Sequence, residues 1–279
     1  MQNKTLFVTD LDGTLLRSDQ KLSKYTVDTL NRLISEGMMF SYATARSYAT
    51  SSIVTAGLDA RFPVIVYNGT FILENGTKKR LLSHAFSDSE AEDILNTLIG
   101  VGVYPIVYAY EDEAEKYFYS PRLINGATEA FLSTRRGDGR ENEVESACEL
   151  LRGETFHFSC IDKPEKLLPA YEKLKDRFAC VYYKEIYSGE QWLEVHPAGV
   201  SKAKALTELK RLMGCDRVVS FGDGVNDISM FEVSDECYAV ENADELLKKI
   251  ATGVIEANDN DGVARFLEAR GGGGRFPLF

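Results

Sequence analysis

The stretch LFVTDLDGTLLRSD, residues 6–19, joins an apolar strand to a turn that carries two carboxylates. The apolar run from Leu6 to Val8 leads through Thr9 into Asp10 and Asp12. Side chains alternate along a strand, so both carboxylates would point to one side and repel each other unless a partner lies between them. An ordinary Asp-Gly turn is the alternative, because this dipeptide is common in turns. The stretch therefore predicts either such a turn or a site with a cationic partner at a strand end.

Outward from this strand, residues 1–82 alternate strand-like and helix-like patterns, as in parallel βαβ units. Helices are predicted from Ser23 to Ile34 and from Ser47 to Ala56, and strands at MMFSYAT (38–44) and PVIVYN (63–68). The pattern returns with a helix from Ser201 to Met213, the strands RVVSF (217–221) and CYAV (237–240), a short helix after Asn226, and helices near Asp244 and Val263. Short connections and buried strands predict an α/β fold with a doubly wound, mostly parallel, Rossmann-like sheet.

The pattern changes between these two parts of the chain. From about residue 83 to 195, a helix followed by two strands occurs twice, with helices predicted from Ser87 to Ile99 and from Pro164 to Phe178. This order suits an antiparallel sheet in a separate α+β domain. We therefore expect a core domain formed by residues 1–82 and 196–279, with residues 83–195 inserted as a cap domain.

Charge and composition limit the function classes. The 279 residues include 32 basic and 43 acidic side chains, a net charge of −11, which argues against nucleic acid or an anionic membrane as the main partner. A local cationic site can still hold one small phosphorylated metabolite. The apolar runs are too short to cross a bilayer, and the N-terminal residues lack the pattern of a secretion signal, so we expect a cytoplasmic protein. The sequence sets no expectation for the oligomeric state.

A second apolar strand also ends in acidic residues. In RVVSFGDGVND, residues 217–227, Asp223 follows the strand and Asp227 begins the next helix. A turn and a favourable charge at a helix start would explain each residue separately. If they converge with Asp10 and Asp12, the cluster is repulsive, and a hard divalent cation is the simplest way to stabilise it. Mg²⁺ fits best, because it takes one or two carboxylates and shares its remaining positions with water and phosphate.

Two other positions offer groups that suit a phosphate. Thr44 ends the second strand, where a threonine is ordinarily structural. Lys202 begins a helix, where a cation opposes the helix dipole, although most lysines are simply solvated. Beside a cation, the Thr44 hydroxyl and the compact charge of Lys202 would hold phosphate oxygens.

The motifs DxDGT, a strand-end Thr, a helix-start Lys and GDxxND, in this order, resemble the four motifs of the haloacid dehalogenase superfamily. The size and place of the insert resemble its Cof-type branch, whose members are mostly magnesium-dependent phosphatases with an α+β cap. Local likenesses are YNGT (67–70), GVSK (199–202), ENADELLK (241–248) and ANDNDGVARFL (257–267). The chain departs from the branch at Ala45, Ala203 and Gly224, where Gly, Gly and Ser are usual, and none of these changes removes a reacting group.

The resemblance implies a role for each carboxylate. Asp10 would be the nucleophile that forms an aspartyl-phosphate, which divides one difficult hydrolysis into two displacements. Asp12 would protonate the departing oxygen and then deprotonate the attacking water. Asp10, Asp223 and the backbone carbonyl of Asp12 would hold Mg²⁺, with Asp227 behind them orienting the metal ligands or Lys202.

The resemblance also implies which residues meet the substrate. Asn226 would bind the phosphate together with Thr44 and Lys202, while Arg46 and Asn68 are candidates for contact with the rest of the substrate. The expected function is an Mg²⁺-dependent phosphatase for small phosphorylated metabolites, with sugar phosphates as the expected class. A phosphosugar phosphotransferase or mutase on the same scaffold is the alternative, followed by a non-catalytic phospho-acceptor switch. The second carboxylate and the insert argue against the switch.

Overall fold

Strands and helices alternate along the part of the chain that the computed structural model describes, residues 4–59, 61–112, 114–184 and 188–271. The strands are, in chain order, β1 Thr5–Thr9, β2 Met39–Tyr42, β3 Val64–Val66, β4 Phe71–Leu73, β5 Arg80–Ser83, β6 Ile106–Glu111, β7 Ala114–Tyr119, β8 Glu141–Glu143, β9 Glu154–Ile161, β10 Ala179–Lys184, β11 Gln191–His196, β12 Arg217–Gly222, β13 Glu236–Val240 and β14 Gly253–Ile255. The helices are α1 Lys24–Ser35, α2 Tyr48–Val54, α3 Asp88–Ile99, α4 Gly126–Ser133, α5 Pro164–Leu174, α6 Lys202–Leu212, α7 Ile228–Glu232, α8 Glu245–Ile250 and α9 Gly262–Gly271.

The first strand lies inside a five-stranded sheet with the order β14-β13-β12-β1-β2, in which all neighbours are parallel. Leu6 and Val8 are fully buried and Phe7 nearly so, because a parallel sheet is covered on both faces. Thr9 lies opposite Phe221, so β1 and β12 end at the same edge of the sheet. The predicted α/β class with a parallel core sheet is confirmed.

Serine side chains fix where three helices of this part begin. Ser23, Ser47 and Ser201 each accept a hydrogen bond from the backbone N–H three residues later, which satisfies one of the unpaired donors of the first helical turn. The predicted start of α6 after Ser201 is therefore confirmed, and Lys202 is its first residue. The cap thus fixes where the Lys202 backbone lies.

The third predicted strand forms, but most of its pairing is with a small antiparallel sheet. β3 pairs antiparallel with β4, which pairs with β5, and a parallel bridge between Ala43 and Ile65 links β3 to the chain directly after β2. The cause is local, because Tyr67, Asn68 and Gly69 all have positive φ and turn the chain straight back. The pattern also missed β14 at the edge of the core sheet.

The chain divides into two compact units. The first comprises the residues up to Ser83 and from Ser201 onward, and the second is His84–Val200. The sequence-based boundaries, 82/83 and 195/196, lie close to these, although His196 is the last residue of β11 and lies in the second unit. Among the described residues, no helix has both the length and the apolar character needed to cross a membrane.

The second unit is an α+β unit built on a six-stranded sheet, β10-β11-β9-β6-β7-β8. One face of this sheet, with Val107, Phe158 and Val195, packs with α3 and α5 in a single apolar core. The pairs are antiparallel as expected, except that β7 and β8 are parallel. A parallel pair needs a crossover, and the stretch that contains α4 supplies it.

Candidate active site

The turn after β1 brings a hydroxyl group to the end of β12. Leu11–Leu15 form one wide helical turn, closed by a hydrogen bond of 2.8 Å from the Leu16 N–H to the Leu11 carbonyl. Within it Gly13 has φ +75°, a left-handed conformation that favours glycine. Thr14 then donates its hydroxyl to Oδ1 of Asp223 at 2.8 Å. Two segments about 200 residues apart in sequence thereby meet at one sheet edge.

Gly13 also allows the two turns to approach closely. A Cβ atom built on Gly13 would lie 2.2 Å from Oδ2 of Asp223, far inside van der Waals contact. The side chain of any other residue would therefore displace the Asp223 carboxylate or the turn itself. Glycine is required at this position both by its φ and by the space available.

We expect Gly13→Ala to lower the affinity for Mg²⁺ at least tenfold, because the added methyl group displaces a carboxylate that could hold the ion; its backbone strain costs about 1–2 kcal/mol in addition. The measurement is calorimetric titration with Mg²⁺. Gly76→Ala is the matched control, since Gly76 has φ +90° but its Cβ would meet nothing within 4 Å. This control should lose a similar amount of stability and keep its Mg²⁺ affinity. Equal affinities for the two variants would contradict the steric argument.

A buried lysine joins two buried carboxylates beside these turns. Lys202 is 2% exposed, and its Nζ lies 2.5 Å from Oδ1 of Asp10 and 2.7 Å from Oδ1 of Asp227. Its place at a helix start, unfavourable for a cation, is explained by these two partners. Gly69 allows α6 to start here, since a Cβ on Gly69 would lie 2.4 Å from the carbonyl oxygen of Ser201.

Asp227 orients its neighbours through both of its carboxylate oxygens. Oδ1 accepts from Lys202, and Oδ2 accepts from the backbone N–H groups of Asp223 and Gly224, each at 3.1 Å. Because both oxygens are engaged, its geometry fits a residue that fixes Lys202 and the Asp223 turn. This agrees better with the role expected from the sequence, in which Asp227 orients Lys202 and the metal ligands, than with direct coordination of the metal.

Three carboxylates converge closely enough to hold a metal ion. One oxygen from each of Asp10, Asp223 and Asp227 lies within 4.8 Å of the others. In the described part of the chain, the hydrogen bonds to the side-chain carboxylates of Asp10 and Asp223 use Oδ1 of each, from Lys202 and Thr14. The Oδ2 atoms of Asp10 and Asp223 therefore fit as ligands of a hard, oxygen-preferring cation such as Mg²⁺.

The electrostatics of the cluster favour a bound cation. Burial raises the pKa of Asp10 well above its ordinary value and outweighs the opposing effect of Lys202. Burial, reinforced by Asp227, also raises the pKa of Asp223, to about 7. The pKa of Lys202 is lowered by burial but raised more strongly by Asp10 and Asp227, so its net shift is upward. One lysine does not offset the cost of ionising both Asp10 and Asp223, and a divalent cation would supply the missing charge.

The Asp12 side chain lies outside this group of three. Arg46 donates from Nε to Oδ2 of Asp12 at 2.7 Å and from Nη2 to Oδ1 at 2.5 Å, and it also donates to Oε1 of Gln20 at 2.9 Å. The sequence suggested that four carboxylates converge, whereas the Asp12 carboxylate pairs with Arg46; contact of Arg46 with the substrate stays a prediction. A metal contact through the Asp12 backbone carbonyl remains a prediction.

The other predicted residues lie on neighbouring loops. Thr44 is buried at the end of β2, where its carbonyl accepts from the Asn68 N–H at 3.0 Å and its Oγ1 accepts from the Arg46 N–H at 3.1 Å. Asn226 lies exposed in the turn Val225–Asp227. Hydrogen bonds to Thr44 thus hold the backbones of Arg46 and Asn68 close to it. The contacts of Thr44, Arg46, Asn68 and Asn226 with phosphate or substrate remain predictions.

Several contacts of this region were not predicted. They include the hydrogen bond from Thr14 to Asp223, the ion pair between Arg46 and Asp12, and a hydrogen bond of 2.8 Å from Nδ2 of Asn242 to the Gly13 carbonyl. Asn242 lies two residues after the end of β13, which is next to β12 in the sheet, and this position near a strand end was the available signal.

Comparison with known proteins gives consistent results over most of the chain. The sequence model of the haloacid dehalogenase-like hydrolase family matches residues 7–267. A relative from Bacillus subtilis (strain 168), named 5-amino-6-(5-phospho-D-ribitylamino)uracil phosphatase YitU, is 26% identical over 94% of this chain and 96% of its own length. Pyridoxal phosphate phosphatase YbhA from Escherichia coli (strain K12) is 25% identical over 92% of this chain and 95% of its own.

A solved structure has the same fold. The crystal structure of a haloacid dehalogenase-like hydrolase from Bacteroides thetaiotaomicron matches with a TM-score of 0.79 and 24% identity, and the match covers 96% of this chain and 100% of that one.

Proposed function

The chain belongs to the haloacid dehalogenase-like hydrolases, and from that premise we propose that it is an Mg²⁺-dependent phosphatase that hydrolyses small phosphorylated metabolites through an aspartyl-phosphate on Asp10. Its enzyme class, a phosphoric monoester hydrolase, agrees with the names of its curated relatives. The cluster of Asp10, Lys202, Asp223 and Asp227 at the carboxyl ends of β1 and β12 carries the proposal. It combines a buried nucleophile, a fixed ammonium group and two oxygens suited to a divalent cation.

Hydrolysis would proceed in two displacements. In the first, a carboxylate oxygen of Asp10 attacks phosphorus, the bond from phosphorus to the ester oxygen breaks, and Asp12 gives its proton to the departing oxygen. In the second, Asp12 removes a proton from water, the water oxygen attacks phosphorus, and the bond to Asp10 breaks to release inorganic phosphate. When bound, Mg²⁺ offsets the negative charge of the transferring phosphoryl group.

Lys202 would serve both displacements without changing its own charge. Its ammonium group is fixed by Asp227 at 2.7 Å and already touches the nucleophile, so its direction is set before substrate arrives. A preorganised positive charge stabilises the developing negative charge without reorganisation during the reaction. Asp227 would therefore act on the chemistry through Lys202.

The ion pair of Arg46 with Asp12 has a consequence for the first displacement. Arg46 donates to both carboxylate oxygens of Asp12 and so occupies the two atoms that could carry a proton to the departing oxygen. The first displacement instead requires a proton on Asp12. In the proposed mechanism Arg46 must therefore release Asp12 before the ester bond breaks, and an anionic substrate would offer Arg46 another partner.

We also propose that the second unit, expected as the cap, selects the ester. The sheet face opposite α3 and α5 is polar: Tyr108 lies opposite His157, Ser159 lies opposite Glu194, and His157 stacks on His196 with ring centroids 4.5 Å apart. These side chains are at most 8% exposed, so they form a buried polar layer of the second unit, and the proposal rests on the resemblance of the insert to a cap domain. The relatives' names, which include an aminouracil and a pyridoxal ester, extend the candidate substrates beyond the sugar phosphates expected from the sequence.

A panel of phosphate esters tests the function. We expect release of inorganic phosphate with multiple turnovers from at least one sugar phosphate, pyridoxal phosphate, flavin mononucleotide, nucleotide or ribitylaminouracil phosphate, and loss of this activity in excess EDTA. Transfer of the phosphoryl group to an added sugar without phosphate release would favour a phosphotransferase or mutase. A single phosphorylation event without turnover would favour a phospho-acceptor switch. No reaction with any ester at saturating Mg²⁺ would contradict the proposal.

A further inference from the structure

One short segment after β13 holds both carboxylate-bearing turns. Nδ2 of Asn242 donates to the carbonyl oxygen of Gly13 at 2.8 Å. Two residues later, the backbone N–H of Asp244 donates to the carbonyl oxygen of Asp223 at 2.8 Å. The turn after β1 and the turn after β12 are therefore attached to the same piece of backbone.

A second asparagine fixes the orientation of the first. The backbone N–H of Asn258 donates to Oδ1 of Asn242 at 3.0 Å, and Nδ2 of Asn258 donates to the carbonyl of Leu16 at 2.9 Å. Since Oδ1 of Asn242 faces an N–H donor, its Nδ2 must face the Gly13 carbonyl. Asn258 is itself 5% exposed, so its amide is held in place. We call these two residues the asparagine clamp.

The asparagine clamp holds the turn after β1 at Gly13, a residue that lies close to the Asp223 carboxylate. Gly13 lies so close to Asp223 that a Cβ would be 2.2 Å from Oδ2, and the next residue, Thr14, holds Oδ1 of the same carboxylate. A small shift of the Gly13 peptide would therefore change both the direction of the Asp223 carboxylate and its distance from Asp10. Mg²⁺ demands near-ideal octahedral geometry, so its affinity is sensitive to such a shift.

We propose that Asn242 is a positioning residue for the cation site: its hydrogen bond to the Gly13 carbonyl sets the spacing between the turn that carries Asp10 and the turn that carries Asp223. The inference rests on the proposed function, because it assumes that these carboxylates hold Mg²⁺. Asn242 would contact neither the metal nor the substrate. A substitution of Asn242 would change the affinity for Mg²⁺, which is measurable without substrate.

Three variants separate positioning from charge. Asn242→Asp keeps the size of the side chain and the acceptor for the Asn258 N–H, but it turns a carboxylate oxygen toward the Gly13 carbonyl. Asn242→Ala removes the donor without adding charge. Asn260→Asp is the control, because Asn260 is exposed on the same turn as Asn258 and the substitution adds the same charge.

The measurement is isothermal titration with Mg²⁺ in the absence of substrate, together with the melting temperature of the metal-free protein. We expect the Mg²⁺ dissociation constant to rise about tenfold in both Asn242 variants, the order expected for one lost hydrogen bond. It should stay near the wild-type value in Asn260→Asp. The expected rise in Asn242→Asp is opposite to the effect of simply adding negative charge near a cation site. At saturating Mg²⁺, kcat of the Asn242 variants should return to near the wild-type value, which a disrupted fold would not allow.

The outcomes distinguish this inference from the proposed function. If wild type binds Mg²⁺ and turns over substrate while both Asn242 variants bind Mg²⁺ equally well, the positioning role is wrong and the phosphatase proposal stands. Tighter binding by Asn242→Asp would also overturn the positioning role, since charge would then be the stronger effect. If wild type binds no Mg²⁺, the proposed function is wrong and the inference is overturned with it.

Discussion

Asp10→Asn is expected to lower kcat by about 10⁴-fold or more on any substrate that the wild type hydrolyses, because an amide oxygen does not form the aspartyl-phosphate and the covalent route is lost. The side chain keeps its size, and its oxygen can still accept from Lys202, so the fold should persist. Phosphate release at saturating Mg²⁺ measures the effect, and circular dichroism verifies the fold.

The control for this variant is another Asp→Asn change that leaves the site intact. Asp28 is an exposed residue of α1 whose carboxylate pairs with Lys24 at 2.5 Å, and Asp28→Asn should keep wild-type turnover. Mass spectrometry of the intact protein after brief exposure to substrate should detect a phosphorylated form in wild type and none in Asp10→Asn. Equal turnover by Asp10→Asn and wild type would exclude Asp10 as the nucleophile.

Lys202→Met is expected to destabilise the first unit by about 3–5 kcal/mol, the usual cost of removing one partner from a buried ion pair. The variant leaves Asp10 and Asp227 buried without the cation that each contacts, 2.5 and 2.7 Å away. Methionine fills much of the same volume, so the loss reports on charge more than on packing. Urea denaturation in EDTA measures the free energy of unfolding.

Lys204→Met is the matched control, because Lys204 lies on the same helix with an exposed side chain. It should change the free energy of unfolding by less than about 0.5 kcal/mol. Mg²⁺ should restore only part of the stability lost in Lys202→Met, since it would compensate Asp10 while Oδ1 of Asp227 stays without its donor. Equal stability of the two variants would show that Lys202 does not neutralise the cluster.

Much of the site could be predicted from the sequence because it lies at strand ends. Asp10 and Asp223 each follow an apolar strand, and parallel strands end at one edge of the sheet, so their convergence follows once the sheet is predicted. Lys202 could be identified as a candidate site residue because a cation at a helix start is unfavourable without a partner. Local pattern and elementary electrostatics were sufficient for these three residues.

The contacts that the sequence missed depend on side-chain direction and on backbone groups. Nothing local indicates that Arg46 turns toward Asp12, because the pairing depends on how two loops face each other. The partner of Asn242 is a backbone carbonyl, which has no signature in the sequence. The antiparallel pairing of β3 with β4 was missed because three consecutive residues with positive φ, only one of them glycine, reverse the chain. Such conformations are set by the tertiary structure and not by local preference.

The position of β1 inside the core sheet affects how this chain can fold as it is synthesised. Its two neighbours are β2, made soon afterwards, and β12, made about 200 residues later. At typical rates of translation, β1 would wait roughly 10 to 40 s for its second neighbour. During that interval it would expose a row of unpaired N–H and C=O groups to other nascent chains. The second unit is complete in sequence before β12 appears, so the active site would assemble on the ribosome only after the whole second unit has been made.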